Sequence, residues 1–202
     1  MRRAGFTLLE LAIAAGLAAL MLTASTVLLV RGLVAAQSME GRLKTTFALE
    51  KSMEGLGREL RNAVALNDPR FSGKADDLSF SVADGPTRLT QIRYKFVPSD
   101  SAGSLVRDVQ VFPLSSDEPV QSKTLVKQVV HFSLVYAMIK EEGGKSSLQW
   151  VPTWEDKPPQ QAGLPKLVKV QLIALDSRGR PCSVTREFLI PHGVLRNPPD
   201  ES

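Results

Sequence analysis

The sequence predicts an α+β protein in which a long N-terminal helix, membrane-spanning in its apolar half, packs on antiparallel β-sheets. Three observations predict it. Residues 11–30 form an uncharged run of 20, close to the ~20 residues a helix needs to cross a ~30 Å hydrocarbon core. No proline occurs before Pro69, and apolar residues recur at helical spacing well beyond the run. After Pro69, apolar and polar residues alternate in short runs separated by turn signals, which is the pattern of strands.

Residues 1–5, Met-Arg-Arg-Ala-Gly, are a short basic leader. Residues 6–30 are the spanning helix, charged only at Glu10. Basic residues ahead of a span favour a cytoplasmic N-terminus. Arg31 opposes this from the far side, but Arg2, Arg3 and the initial amine outweigh it. A secretory signal peptide is the competing reading, with Val34-Ala35-Ala36 as its cleavage site. Against it, the apolar run exceeds the ~7–15 residues of a signal core, Arg31 interrupts the approach to that site, and Glu10 would serve no purpose. A carboxylate inside such a segment is costly and marks a functional contact. Its structural alternative is a snorkelling or protonated carboxyl near the interface. Ala12 and Gly16, Ala14 and Ala18, and Ala15 and Ala19 place small residues four apart, which lets helices approach closely in lipid.

Residues 31–66 continue the helix amphipathically. Leu43, Phe47, Leu49, Met53, Leu56, Leu60 and Val64 recur near helical spacing, and Glu40–Lys44 and Glu54–Arg58 are favourably ordered i,i+4 pairs. Asn67-Asp68-Pro69 is the expected stop. Gly55 and Gly57, each ~1 kcal/mol worse than alanine in a helix, mark a bend or a close contact. Gly32 and Gly41 allow a bend between the two halves. Residues 67–196 form the β-rich globular domain, with strands expected at 78–82, 91–96, 106–112, 124–139, 147–151, 167–175 and 183–190. Val168, Val170, Leu172 and Ala174 fall on one face of a strand, and Lys169 and Gln171 on the other. Asp84-Gly85-Pro86, Gly143-Gly144 and Ser177-Arg178-Gly179-Arg180 are turns, and 152–165 is a proline-rich loop. Residues 197–202 are a disordered tail.

Gly5-Phe6-Thr7-Leu8-Leu9-Glu10 resembles the class III leader motif of type IV pilins and type II secretion pseudopilins. The resemblance implies that a prepilin peptidase cuts between Gly5 and Phe6, and that the new N-terminal Phe6 is N-methylated. It also implies that Glu10 is an assembly residue, sensing the terminus of an adjacent subunit and setting the axial register of a filament. Elementary electrostatics agrees. Cleavage would create an amine at the membrane edge, one helical turn from a carboxylate, and their attraction is strong in low dielectric. The region 129–190 resembles the J-type minor pseudopilins (the general secretion pathway protein J family) in the order "VHFSLVY", "WVPTW", "LPKLVKVQLIAL", "REFLIP". "LEKSMEGLGRELRNAV" resembles that family's amphipathic helix. This implies a pilin-like fold and a single-pass protein of the bacterial inner membrane with its C-terminal domain in the periplasm. The implied partners are I- and K-type minor pseudopilins, the major pseudopilin, the prepilin peptidase and secreted cargo. Two other readings stand beside it: a minor pilin of a type IV pilus, and a single-pass membrane protein whose periplasmic domain binds a ligand.

The chain has 202 residues, 43% hydrophobic and 23% charged, with a formal net charge of +4. That fits one modest domain with an attached segment and excludes a polytopic membrane protein or a disordered tail. There is no basic stripe interleaved with aromatics, so no nucleic-acid partner is expected. Cys182, the only cysteine, can form no internal disulfide or cysteine zinc site and reads as a small buried hydrophobe. His131 and His192 lack partners at metal-ligand spacing, and no phosphate loop or nucleophile elbow is present. Asp76-Asp77 and Glu141-Glu142 read as solvated turns, because no alternating calcium loop follows them. Trp150 and Trp154 read as core or loop anchors. No enzymatic activity, cofactor, metal or catalytic residue is expected.

Overall fold

A computed structural model of the chain describes residues 7–66, 69–83, 88–112, 119–142, 145–155 and 163–193. It is α+β, as the sequence predicts. One helix, α1 (Leu8–Arg61), is followed by ten strands: β1 (Ala63–Val64), β2 (Ser72–Gly73), β3 (Asp77–Ala83), β4 (Leu89–Val97), β5 (Gly103–Phe112), β6 (Gln121–Glu142), β7 (Lys145–Val151), β8 (Trp154–Glu155), β9 (Leu167–Leu175) and β10 (Pro181–Leu189). Contacts divide the chain into two compact units, Met1–Leu43 and Lys44–Ser202. The strands form one antiparallel sheet in the order β10-β9-β6-β5-β4-β3-β2-β8, with β1 paired to β3 and β7 paired to β6.

Seven of these strands stand where alternation placed them, and β9 matches residue for residue. Its four apolar residues Val168, Val170, Leu172 and Ala174 are all buried. The short strands β1, β2 and β8 were not legible, because a two-residue strand has no period to detect. The helix ends at Arg61 rather than near Leu66. Asn62 closes the last turn with an N–H to the Glu59 carbonyl, 3.0 Å. Ala63 and Val64 then pair with Val82 and Ser81, so Val64 leaves the helical pattern to join the sheet. The turns expected at Asp84–Pro86 and Gly143–Gly144, and the tail at 197–202, lie outside the described residues.

Within the second unit, the helix from Lys44 onward lays one stripe on the sheet. Leu49, Met53, Leu56 and Leu60 are buried. Each adds about 1.5–3 kcal/mol relative to exposure. Leu43 and Phe47, expected on the same face, are instead 68% and 67% exposed. Glu54 and Arg58 form no ion pair among the described residues, despite their spacing. The two helix glycines separate sharply. A Cβ on Gly57 would lie 2.5 Å from Phe188 Cε1, so Gly57 is the close contact that brings the helix onto β10. A Cβ on Gly55 would meet nothing within 4 Å. Alanine at Gly55 should therefore stabilise the domain by about 1 kcal/mol. At Gly57 the overpacking cost of about 1–3 kcal/mol should outweigh that gain. Denaturation midpoints of Gly55→Ala and Gly57→Ala should shift in opposite directions; a shared direction would refute the contact.

β6 organises the sheet. It pairs with β5 over Gln121–Val129, with β9 over Val129–Tyr136 and with β7 over Tyr136–Glu142. Val129 is opposite both Gly103 and Ala174, and Tyr136 is opposite both Val151 and Val168. Hence β9 occupies one edge, and β5 and β7 share the other. The partner switch coincides with a bulge. Gln128 has φ 58°, uncommon for a residue with a side chain, and the register shifts between Val129 and His131. Bulges of this kind bend a strand and end one pairing as another begins.

Candidate assembly surface

Gly5 and Phe6, the expected cleavage and methylation site, lie outside the described residues. The description begins at Thr7, which caps α1. The Glu10 N–H donates to the Thr7 carbonyl at 3.1 Å and approaches Thr7 Oγ1 at 3.4 Å. Thr7-Leu8-Leu9-Glu10 is thus a capping sequence of the S/T-x-x-E type, a local signal present in the sequence itself. Glu10 is exposed and sits in the first turn, where a negative charge is favoured by the helix dipole.

Over residues 11–30 the helix is uncharged and apolar on every side. Leu9, Leu11, Ile13, Leu17, Leu20, Met21, Leu28 and Leu29 are all more than half exposed. A helix apolar all round needs either lipid or other helices around it. This one is long and apolar enough to cross a membrane. Its polar side chains are partly self-satisfied: Thr23 and Thr26 donate to the carbonyls of Ala19 and Leu22, each at 2.8 Å. Inside hydrocarbon, that internal bond replaces water. A Cβ on Gly16 would meet nothing within 4 Å, so the small-residue positions present open backbone to a neighbour.

In the second unit, polar side chains clamp the helix to the sheet. Glu59 accepts from Tyr94 Oη at 2.6 Å, and from Arg107 Nη2 and Nε at 2.6 and 3.2 Å. Burial pushes the Tyr94 hydroxyl well above its usual pKa, and the adjacent Glu59 charge adds to this. On the other face of the sheet, Asp108 accepts from Lys95 Nζ at 2.6 Å and Ser122 Oγ at 2.7 Å. Burial works against the Asp108 charge, but the Lys95 and Ser122 hydrogen bonds outweigh it and its pKa is lowered. In the β9–β10 turn, Asp176 accepts the N–H groups of Arg180 and Arg178 at 2.9 and 2.8 Å. The Arg180 backbone bond leads in holding its carboxyl below the usual range. Gly179, at φ 73°, supplies the left-handed residue this turn needs.

These two carboxylates fix the sign of a pH dependence. A depressed folded pKa contributes stability that is present above the unfolded value, about 4, and is lost as pH falls through the folded value. The full chain in detergent should be less stable to denaturant at about pH 3 than at about pH 7, conditions on either side of the unfolded carboxylate value of about 4. Asp108→Asn with Asp176→Asn should flatten that slope. An unchanged slope in the double variant would show that other groups carry it.

Elsewhere the residues weighed for chemistry sit apart. His131 and His192 are exposed. Cys182 is buried, as its setting predicts. Trp154 is buried and donates Nε1–H to the Gly163 carbonyl at 3.2 Å, a loop anchor. Lys169 Nζ lies 5.5 Å from the centre of the half-buried Trp150 ring. Asp77 of the acidic doublet is held by Arg93. Among the described residues, no group of three or more His, Cys, Asp or Glu side chains is placed to hold a metal. No family model matches this chain, and no curated protein matches it.

Proposed function

We propose that the chain is a minor pseudopilin of type II secretion. It is anchored by its N-terminal helix in the bacterial inner membrane and carries its C-terminal domain in the periplasm. The observation that carries this reading is the stretch 11–30 of the helix, uncharged and exposed on every side, with a single carboxylate ahead of it, Glu10, in the first turn and three residues after Thr7. After cleavage at Gly5 and methylation of Phe6, the new amine and a Glu10 carboxylate pair across subunits. Lateral contact of the small-residue positions then packs the helices together. The domain joins I- and K-type subunits at the tip of a short filament of the major pseudopilin, where it meets secreted cargo. Its work is binding and assembly rather than catalysis.

A type IV pilus subunit would share this anchor, so the test must separate the two machines. Deleting the gene in its own bacterium should block export of proteins to the medium while surface pili and their motility persist. Loss of pili with export intact would assign the chain to the pilus instead. Loss of neither would remove the filament reading.

A further inference from the structure

Within the second unit, the helix and the sheet enclose a groove of about 480 Å³. Its floor is a row of side chains across three strands. Tyr94 of β4 is opposite Arg107 of β5, and Arg107 is opposite Lys123 of β6. Tyr94 and Arg107 both bond to Glu59 of α1, so the row lies on the face beneath the helix. The wall is α1 itself. Phe47, Lys51, Gly55 and Arg58 all line the groove. They stand four, four and three residues apart, so they form one stripe along the helix.

The charge of this groove is unbalanced. Lys51, Arg58 and Lys123 are exposed, and among the described residues none has a carboxylate within 4 Å. Glu59, the one carboxylate that lines the groove among the described residues, is committed to Arg107 and Tyr94. Glu50, next to Lys51, is committed to Arg186, and Glu54 does not line the groove. A cleft lined by one sign of charge concentrates the opposite sign.

The spacing says what kind of anion fits. Lys51 and Arg58 are seven residues apart, which is about 10 Å along the axis and two turns of a helix. Between them, a Cβ on Gly55 would meet nothing within 4 Å. No contact within the chain requires glycine there. A second helix crossing at that point would use it, because the distance between packed helices is set by the side chains at the contact. Phe47, 67% exposed, stands one turn before Lys51 as an apolar anchor.

We propose that this groove docks an acidic helix of another protein, laid along α1. Two carboxylates seven residues apart meet Lys51 and Arg58, and a third meets Lys123 on the floor. The two backbones come closest at Gly55, and one apolar residue covers Phe47. The mode is that of a helix in a groove, with charge supplying the selection. The proposal does not rest on the filament reading, since the groove is built wholly within the folded domain.

Fluorescence anisotropy of labelled helical peptides, added to the full chain in detergent micelles, tests this. Empty micelles set the background. The first peptide is an alanine-rich helix with glutamates seven residues apart and one leucine. The second has lysine for each glutamate. The third keeps the composition of the first but moves the glutamates to the face opposite the leucine. The first should bind about ten-fold or more tighter than either of the others, and added salt should weaken it. It should also shield Lys51 and Lys123 from acetylation, read by mass spectrometry, and leave Lys145 of β7 reactive. Lys51→Glu with Lys123→Glu should reverse the preference, so that the lysine peptide now binds better than the acidic one. Gly55→Trp should block the acidic helix, while Gly55→Ala weakens it less. The proposal is overturned if millimolar acidic peptide leaves Lys51 and Lys123 reactive, if the third peptide binds as well as the first, or if the charge reversal leaves the preference unchanged. Shielding that grows with protein concentration in the absence of peptide would give the groove to a second copy of the chain, and would also overturn it.

Discussion

Glu10→Ala should leave the globular domain folded and the leader removed, yet reduce incorporation into filaments by about ten-fold or more. The size follows from the setting. Removing one partner of a carboxylate–amine pair in a low-dielectric environment leaves the other charge uncompensated, at about 3–5 kcal/mol against the ~0–1 kcal/mol of a surface pair, and ~1.4 kcal/mol already amounts to ten-fold in an equilibrium. The rest of the chain has no reason to respond. Glu10 is exposed in the first turn, and its backbone N–H to the Thr7 carbonyl survives the substitution. Glu10→Gln separates the roles. It keeps the shape and the capacity for hydrogen bonds but loses the charge, so it should fail in assembly as alanine does. If capping α1 were the only role of Glu10, both variants would assemble normally, with at most a small loss of helix stability. Gly5→Leu provides a control on the other step, since it should block leader removal altogether.

The second large effect concerns the fold. Tyr136→Ala should cost about 3–5 kcal/mol, a large share of the ~5–15 kcal/mol that holds a domain together. Tyr136 is fully buried where β6 exchanges partners, opposite Val151 of β7 and Val168 of β9. Its ring meets Phe71 edge-on, with centroids 6.1 Å apart, and its hydroxyl donates to the Lys74 carbonyl at 3.1 Å. The ring also fills the space where a side chain on Gly73 would stand. Removing it opens a cavity lined by three separate segments, none of which can close it alone. Tyr136→Phe removes only the hydroxyl and should cost about 1–2 kcal/mol, the cost of leaving the Lys74 carbonyl without a donor. Denaturant midpoints at unchanged slope read both values. An alanine variant within 1 kcal/mol of the parent, well below the ~3–5 expected for a buried aromatic, would show that the junction is not a packing centre.

What the sequence made legible tracks how local the cause is. The 167–175 strand was plain because four apolar residues at period two face a core and their neighbours do not. The helix was plain up to the residues that make long-range contacts. Nothing near Ala63 and Val64 announces that they pair with β3, because β3 lies well downstream. Gly57 carried a signal, a costly glycine inside a helix, but the ring that explains it belongs to Phe188 at the far end of the chain. Gly55 carried the same signal with the opposite cause. At the N-terminus, the resemblance of residues 5–10 to a leader motif is a pattern in the sequence alone, and the Thr7 cap is equally available there, three residues before Glu10. The basic groove was not legible, since its floor comes from strands far along the chain from the helix that walls it.

The central claim concerns how the mature chain begins. Mass spectrometry of the protein purified from its own membranes, read for the N-terminal peptide, addresses it directly. The account predicts a chain that starts at Phe6 and carries one methyl group on its amine. A chain that still begins at Met1, with Gly5 and Phe6 joined, would contradict it.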